Sequence, residues 1–327
     1  MKGTRVKSGL AIDDIPFNAV VLTDGVHAYA NLLDYDLYLE ELGRETEAGA
    51  ALLLEFVHLH YSGLDRLIDA FGARRVDDHG GRVHAVVPEP AGDTNEAERV
   101  KVALALAAAM RSLVNEASAA HQRKYGSRIR VGVESGRALA INSGRRNEPE
   151  PLFIGDAANI AAKLADGDEE GVALGSRARL ALMHDQAVHL SDTGLLMDEA
   201  SHILRGASSR IGPEVVQKAF GEFRVAELAD AARPAGFAFF RHRLPLQTID
   251  FGELSPHRSA RQEMVSIFAD LSGFTAYVHQ GMVSGRIEQV VSNLHVLRGE
   301  MAAVLRDWCG RKIRFIGDCS QGVLAEG

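Results

Sequence analysis

Asp270 and Asp318 are two carboxylates whose surroundings in this chain suit metal-ion chemistry. Asp270 lies within Met264 to Tyr277, MVSIFADLSGFTAY, where an apolar strand run is broken by the acid and a Gly-containing turn leads into a helix. There the carboxylate can hold a cation. Main-chain N–H groups of Leu271 to Thr275 can face an anion, because the first turn of a helix leaves its amides without internal partners. Asp318 follows 48 residues later in KIRFIGDCSQGVLAEG, again a strand run broken by Gly-Asp before a second apolar run. Two strand-end carboxylates of this kind imply a divalent-metal pair gripping a nucleotide polyphosphate.

The pairing of FADLSGFT with FIGDCSQG resembles the two metal-binding motifs of the class III nucleotidyl cyclases. The resemblance implies conversion of a nucleoside triphosphate to its cyclic 3′,5′-monophosphate and pyrophosphate. It implies two Mg²⁺ or Mn²⁺ ions held by Asp270, Asp318 and the Leu271 carbonyl, with nucleotide contacts at Leu271, Ser272, Gly273, Phe274 and Thr275. It extends to Pro151 to Ala165, PLFIGDAANIAAKLA, where Asn159 and Lys163, four apart, share one helix face. The family pattern G-x-x-[VA]-N-x-[AS]-[AS]-[RK]-[LM] supplies an Asn that orients the ribose and a cation that stabilises charge on the α-phosphate. Here these are Asn159 and Lys163, with Lys where many members have Arg. Asp156 is expected to cap their helix. RIRVGVESGRALAIN resembles the family's central hairpin, turned at Gly136.

Adenine-selective members resemble one another in a Lys before the T-I-G or F-I-G strand and an Asp or Thr seven residues ahead of the Asn. Those places hold Arg314, or Arg75 in the first half, and Leu152. An Arg donor facing a pyrimidine carbonyl suits UTP or CTP, and the chain resembles the uridylate and cytidylate cyclases of Pycsar anti-phage defence and cyclases with a C-terminal sensor region. Two other readings stay open: an ordinary adenylate cyclase, and an inactive pseudo-cyclase acting as nucleotide sensor or scaffold. A diguanylate-cyclase palm shares the βαββαβ plan, but Asp77-Asp78-His79-Gly80-Gly81 does not match its GG[DE][EQ]F hairpin.

The elements that must position these groups imply an α+β, ferredoxin-like cyclase homology domain (βαββαβ) with a second, partial repeat. Residues 1–230 form a divergent complete module, 231–262 an ordered linker, and 263–327 the N-terminal half of a second module. In the first module, Phe17 to Thr23 reads as a buried strand ending at Asp24 and the turn residue Gly25. Two helices follow between Leu32 and Phe71, interrupted near Gly43, Gly49 or Gly63. A hairpin turns at Gly80-Gly81, and a long helix runs from Glu96 to Tyr125. Val172 to Met183 reads as a strand and short helix, and Glu214 to Leu228 as a β-ribbon turned at Gly221. VVLTDGVHAYA aligned with IFADLSGFTAY puts Asp24 and Asp78 forward as a secondary, degenerate metal pair. His79 and His84 are weighed as metal ligands and set aside, because no Cys or His completes a cluster. The second module holds helices near Gly285 to Asp307, and its missing half implies a truncated chain or completion by a second module, in the same chain or in a homodimer mate.

Bulk properties restrict partners. A net charge of −8 offers no broad basic face, so nucleic acid is not expected as a partner. Two cysteines, Cys309 and Cys319, exclude a disulfide scaffold, and neither the first residues nor VALALAAAM forms a signal-peptide core or membrane span. A soluble, cytoplasmic protein is expected.

Overall fold

A 13-residue strand, β1 (Val20–Leu32), sits at the centre of the first of two compact units, Met1–Pro234 and Ala235–Gly327. The computed structural model describes residue 15 and residues 20–38, 46–121, 124–142, 151–184, 211–229, 238–241, 251–254 and 258–324. Antiparallel partners flank β1 on both sides: β3 (Arg82–Val87) and β4 (Ile129–Asn142). With β2 (Arg74–His79) and β5 (Pro151–Ile154) the order is β2-β3-β1-β4-β5, and β6 (Gly171–Leu174) pairs in parallel with β4.

Alternation along β1 sends Val26, Ala28, Ala30 and Leu32 into one core with α1 (Glu47–Ala70) and α2 (Glu96–Ala120), where Phe56, Leu67, Leu106 and Met110 are buried. Val21 joins a second cluster with Val76, Val86, Ala138, Ala140, Phe153 and Ala158. Ala158 belongs to α3 (Asp156–Ala165), so this helix lies on the opposite face of the sheet. α4 (Ser176–His184) follows β6. The architecture is α+β, as the sequence implies.

Several local expectations change. Residues 17–19 lie outside the described residues, and the strand expected to end at Asp24 and Gly25 runs on to Leu32. Hydrogen-bonded neighbours on both sides hold the chain extended there, with Gly25 facing Gly136. Gly136 is therefore a mid-strand residue of β4 and not a hairpin turn. Between Leu32 and Phe71 a 3-10 helix, Tyr35–Tyr38, precedes one helix over residues 47–70, which runs unbroken through Gly49 and Gly63 and is sustained by packing against α2, while Gly43 lies outside the described residues. The expected ribbon over Glu214 to Leu228 is instead α5 (Pro213–Phe223) followed by one π-helical turn, Arg224–Leu228. Pro213 opens α5, and Val216, Ala219, Phe220 and Phe223 meet the first core at helical spacing.

Part of the stretch read as a linker, residues 231–237, 242–250 and 255–257, lies outside the described residues. Within it, β7 (Ala238–Arg241) pairs in parallel with β8 (Arg258–Arg261). The second unit continues as β9 (Val265–Ala269), α6 (Phe274–Val283), α7 (Ile287–Asp307), β10 (Arg311–Ile316) and β11 (Cys319–Leu324). Its antiparallel order, β10-β11-β9, has the form of β2-β3-β1. Each hairpin has a register shift at the same distance from its turn, between Arg75 and Asp77 and between Lys312 and Arg314.

Candidate active site

The register of the second unit explains how Asp270 and Asp318 meet. Ala269 faces Ser320 across the β9–β11 pair, and Ile316 faces Cys319 across the β10–β11 hairpin. Asp270 therefore leaves β9 at the end of the sheet where Asp318 occupies the hairpin turn. Burial, and then the charge of Asp270, push the Asp318 carboxyl up from its ordinary range, against a main-chain hydrogen bond and the Arg298 guanidinium. Two carboxylates that repel one another at a strand end fit a divalent cation, whose preferred ligands are oxygens. The Leu271 carbonyl accepts from Phe274 N at 3.2 Å and has a second lone pair for a metal. Leu271, Ser272 and Gly273 lead directly into α6, opened by Phe274 and Thr275, so a helix N-terminus stands beside the acids.

The same register in the first unit corrects the placement of its degenerate pair. Val83 faces Ala30 and Arg82 faces Asn31, while His79 and Arg82 flank the Gly80-Gly81 turn. Asn31 and Gly81 thus hold the positions of Asp270 and Asp318. Asp24 lies mid-strand opposite Arg137, with the two side chains 3.4 Å apart. Asp78 is within β2, ion-paired to Arg75. Arg75 also pairs with Asp65 and lies 5.7 Å over the Tyr61 ring. By the shared bulge, the counterpart of Arg314 is Asp77, and Arg75 matches Lys312. The sequence offered a signal for this: HAYANLLDY can be laid on SIFADLSGF.

α3 carries Asn159 and Lys163 on a seat that a glycine makes possible. A Cβ at Gly132 of β4 would stand 2.0 Å from the Ala161 carbonyl oxygen, so the helix lies directly on the strand. Asn159 is half-buried, and its main-chain N–H donates to the Gly155 carbonyl at 3.3 Å. Lys163, in the last turn, is exposed. Gly155, and not Asp156, occupies the cap position, and Asp156 is the first helical residue, where its charge complements the helix dipole. Leu152 is buried in β5 opposite Ile141 and offers a base no polar group.

An open cleft of about 380 Å³ lies at the Asn31 and Gly81 end of the first unit, bordered also by Arg82 and Asp166, which form a 2.5 Å ion pair. Asn31 Nδ2 donates to the Ala165 carbonyl at 3.1 Å, tying β1 to the end of α3. His84 is buried with His27, their Nε2 and Nδ1 atoms 3.0 Å apart, and stacks on Tyr29. Burial lowers the His27 pKa to about 4 and holds His84 well below the ordinary imidazole range. Among the described residues no three His, Cys, Asp or Glu side chains are grouped to hold a metal, and no helix is long and apolar enough to cross a membrane.

Comparison with known proteins gives the family. Residues 40–197 match the adenylate and guanylate cyclase catalytic domain. The uridylate cyclase of a Rhizobium species is 42% identical over 98% of this chain and 64% of its own length. The uridylate cyclase of Pseudomonas aeruginosa is 33% identical over 97% of this chain and 62% of its own. The chain thus spans less than two thirds of these curated relatives. A crystal structure of a class III adenylyl cyclase-like ATP-binding protein from Pseudomonas aeruginosa superposes with a TM-score of 0.86, at 32% identity, over 100% of this chain and 69% of that one. Shared fold over the whole length, together with this identity, makes the chain a member of the class III adenylate and guanylate cyclase family.

Proposed function

We propose that this chain carries the machinery of a nucleotide cyclase that converts a nucleoside triphosphate, UTP before the others, into a cyclic 3′,5′-monophosphate messenger and pyrophosphate. The observation that carries the proposal is the meeting of Asp270 and Asp318 beside the N-terminus of α6. UTP is supported by the activity named for the 42% and 33% identical relatives. It is supported also by Leu152, which has no acceptor for a purine amino group.

In this reading Asp270, Asp318 and the Leu271 carbonyl hold two Mg²⁺ or Mn²⁺ ions, which when bound supply Lewis acidity at the ribose 3′-hydroxyl and neutralise triphosphate charge. The main-chain amides of Leu271, Ser272 and Gly273, leading into the N-terminus of α6, receive phosphate oxygens. Asn159 orients the ribose through its side-chain amide. As the 3′-oxygen bonds to the α-phosphorus and the bond to the pyrophosphate oxygen breaks, the Lys163 ammonium meets the charge growing on the α-phosphate. The hydroxyl proton passes to solvent, and no protein nucleophile is needed. Because the acids lie in the second unit and Asn159 and Lys163 in the first, the reaction needs two modules, from one chain or from a homodimer.

Incubating the protein separately with UTP, CTP, ATP and GTP plus Mn²⁺, and resolving products by mass spectrometry, tests the proposal. Cyclic UMP as the main product, lost in Asp270→Asn, is expected. A strict preference for ATP removes the pyrimidine assignment. No cyclic product from any triphosphate favours the second reading, an inactive nucleotide-binding cyclase relative.

A further inference from the structure

One side chain of the second unit has the wrong chemistry for its place. The buried stripe of α7 runs Val290, Leu294, Arg298, four residues apart on the face turned to the sheet. Arg298 is only 7% exposed. An aliphatic residue would fill that position at no electrostatic cost, whereas burying a guanidinium costs several kcal/mol unless packing and hydrogen bonds offset it. The compensation is specific. The guanidinium lies 4.3 Å over the Phe315 ring of β10, and its Nη2 donates to the Gly317 carbonyl at 2.5 Å. Gly317 is the first residue of the β10–β11 turn, in the left-handed region at φ 62°, and the next residue is Asp318.

We propose that Arg298 is a positioning residue: stacked on Phe315 and bonded to the Gly317 carbonyl, it fixes the hairpin turn so that Asp318 is presented beside Asp270. The inference rests on the reading of those two acids as metal ligands. A turn with a glycine in the left-handed region has freedom that neither strand removes. The flat guanidinium, held on a ring and directed at one carbonyl, removes it from beneath. Residues that orient metal ligands in this way typically contribute 10–100-fold to metal affinity.

The test uses the whole chain and Mn²⁺ alone, with free ion followed by electron paramagnetic resonance and folding by circular dichroism. Asp318→Asn is the reference. If it binds Mn²⁺ as the wild type does, the metal reading fails, and Arg298 loses its role with it. With that reference behaving as a ligand loss, Arg298→Met is expected to weaken Mn²⁺ binding about 10–100-fold while helix content stays unchanged. Arg298→Lys, which keeps a donor on a flexible stem, is expected to lose less. In turnover the half-saturating Mn²⁺ concentration rises, while kcat at saturating Mn²⁺ changes less than about threefold, a split that general loosening would not produce. Wild-type Mn²⁺ affinity in a folded Arg298→Met overturns the proposal, as do equal losses in the two variants. Should Arg298→Met not fold, Arg298→Lys decides: weaker binding supports the role, and wild-type affinity overturns it.

Discussion

Asp24 and Asp270 each follow an apolar strand run, and what separates them is the company each side chain keeps. Asp24 is held in mid-strand beside Arg137, and such a partly exposed pair contributes at most about 1 kcal/mol. Asp270 stands at a strand end with Asp318 and a helix N-terminus for neighbours. Asp24→Asn should therefore leave Mn²⁺ binding and turnover within about fivefold of wild type, the most that the pair energy allows. Asp270→Asn should abolish both. Isothermal titration with Mn²⁺ and a product assay distinguish the two, and equal losses would return Asp24 to the site. Lys163 is exposed and serves no core contact, so Lys163→Met should leave the unfolding midpoint unchanged. Its effect should fall on kcat, by about 10²–10³-fold, the usual loss when one transition-state cation or donor is removed.

At the scale of elements, sequence patterns were informative wherever a segment's own periodicity decides its state. The Gly80-Gly81 hairpin, the helix beginning at Glu96 and the passage from β5 through Gly155 into α3 all follow from local signals. Expectation failed where neighbours decide. Asp24-Gly25 reads as a strand end until β3 and β4 are seen bonding along both edges of β1, and that misreading carried the assignment of the secondary metal pair with it. Glu214 to Leu228 suggested a ribbon because Val215, Val216, Phe220 and Phe223 favour strands; packing against α1 selects the helix. The physical reason for Gly132 could not be read from the sequence, since it is the helix above it. Gly132→Ala must push Ala161 away, at a cost of about 1–3 kcal/mol by overpacking. Because Asn159 and Lys163 ride on the same helix, the expected signature in urea unfolding and product assays is a lower midpoint together with a lower kcat.

For the molecule as a whole, the two units are unequal in chemistry although their β-hairpins share strand order and bulge. The second has the paired acids, whereas the first has buried imidazoles that tie its stability to pH. His27 and His60 are each brought from 6.5 to about 4 by burial, and His84 is also lowered. His60 donates from Nδ1 to the Phe56 carbonyl at 2.9 Å, and its Nε2 has no partner among the described residues, so the folded chain holds the ring neutral. A folded pKa below the unfolded one makes the stabilisation complete above pH 6.5 and removes it progressively as pH falls toward 4, because the unfolded chain takes up the proton first. For His60 the loss by pH 4 amounts to about 3 kcal/mol at 1.36 kcal/mol per pH unit. Urea unfolding at pH 7.5 and at pH 4.5 should therefore show a marked fall in midpoint for the wild type. His60→Leu should show a smaller fall, since that proton uptake is gone while the acid titration of ion-paired Asp34 and Glu96 remains in both proteins. An undiminished fall in His60→Leu would mean that the buried imidazole of α1 is not a source of the acid sensitivity.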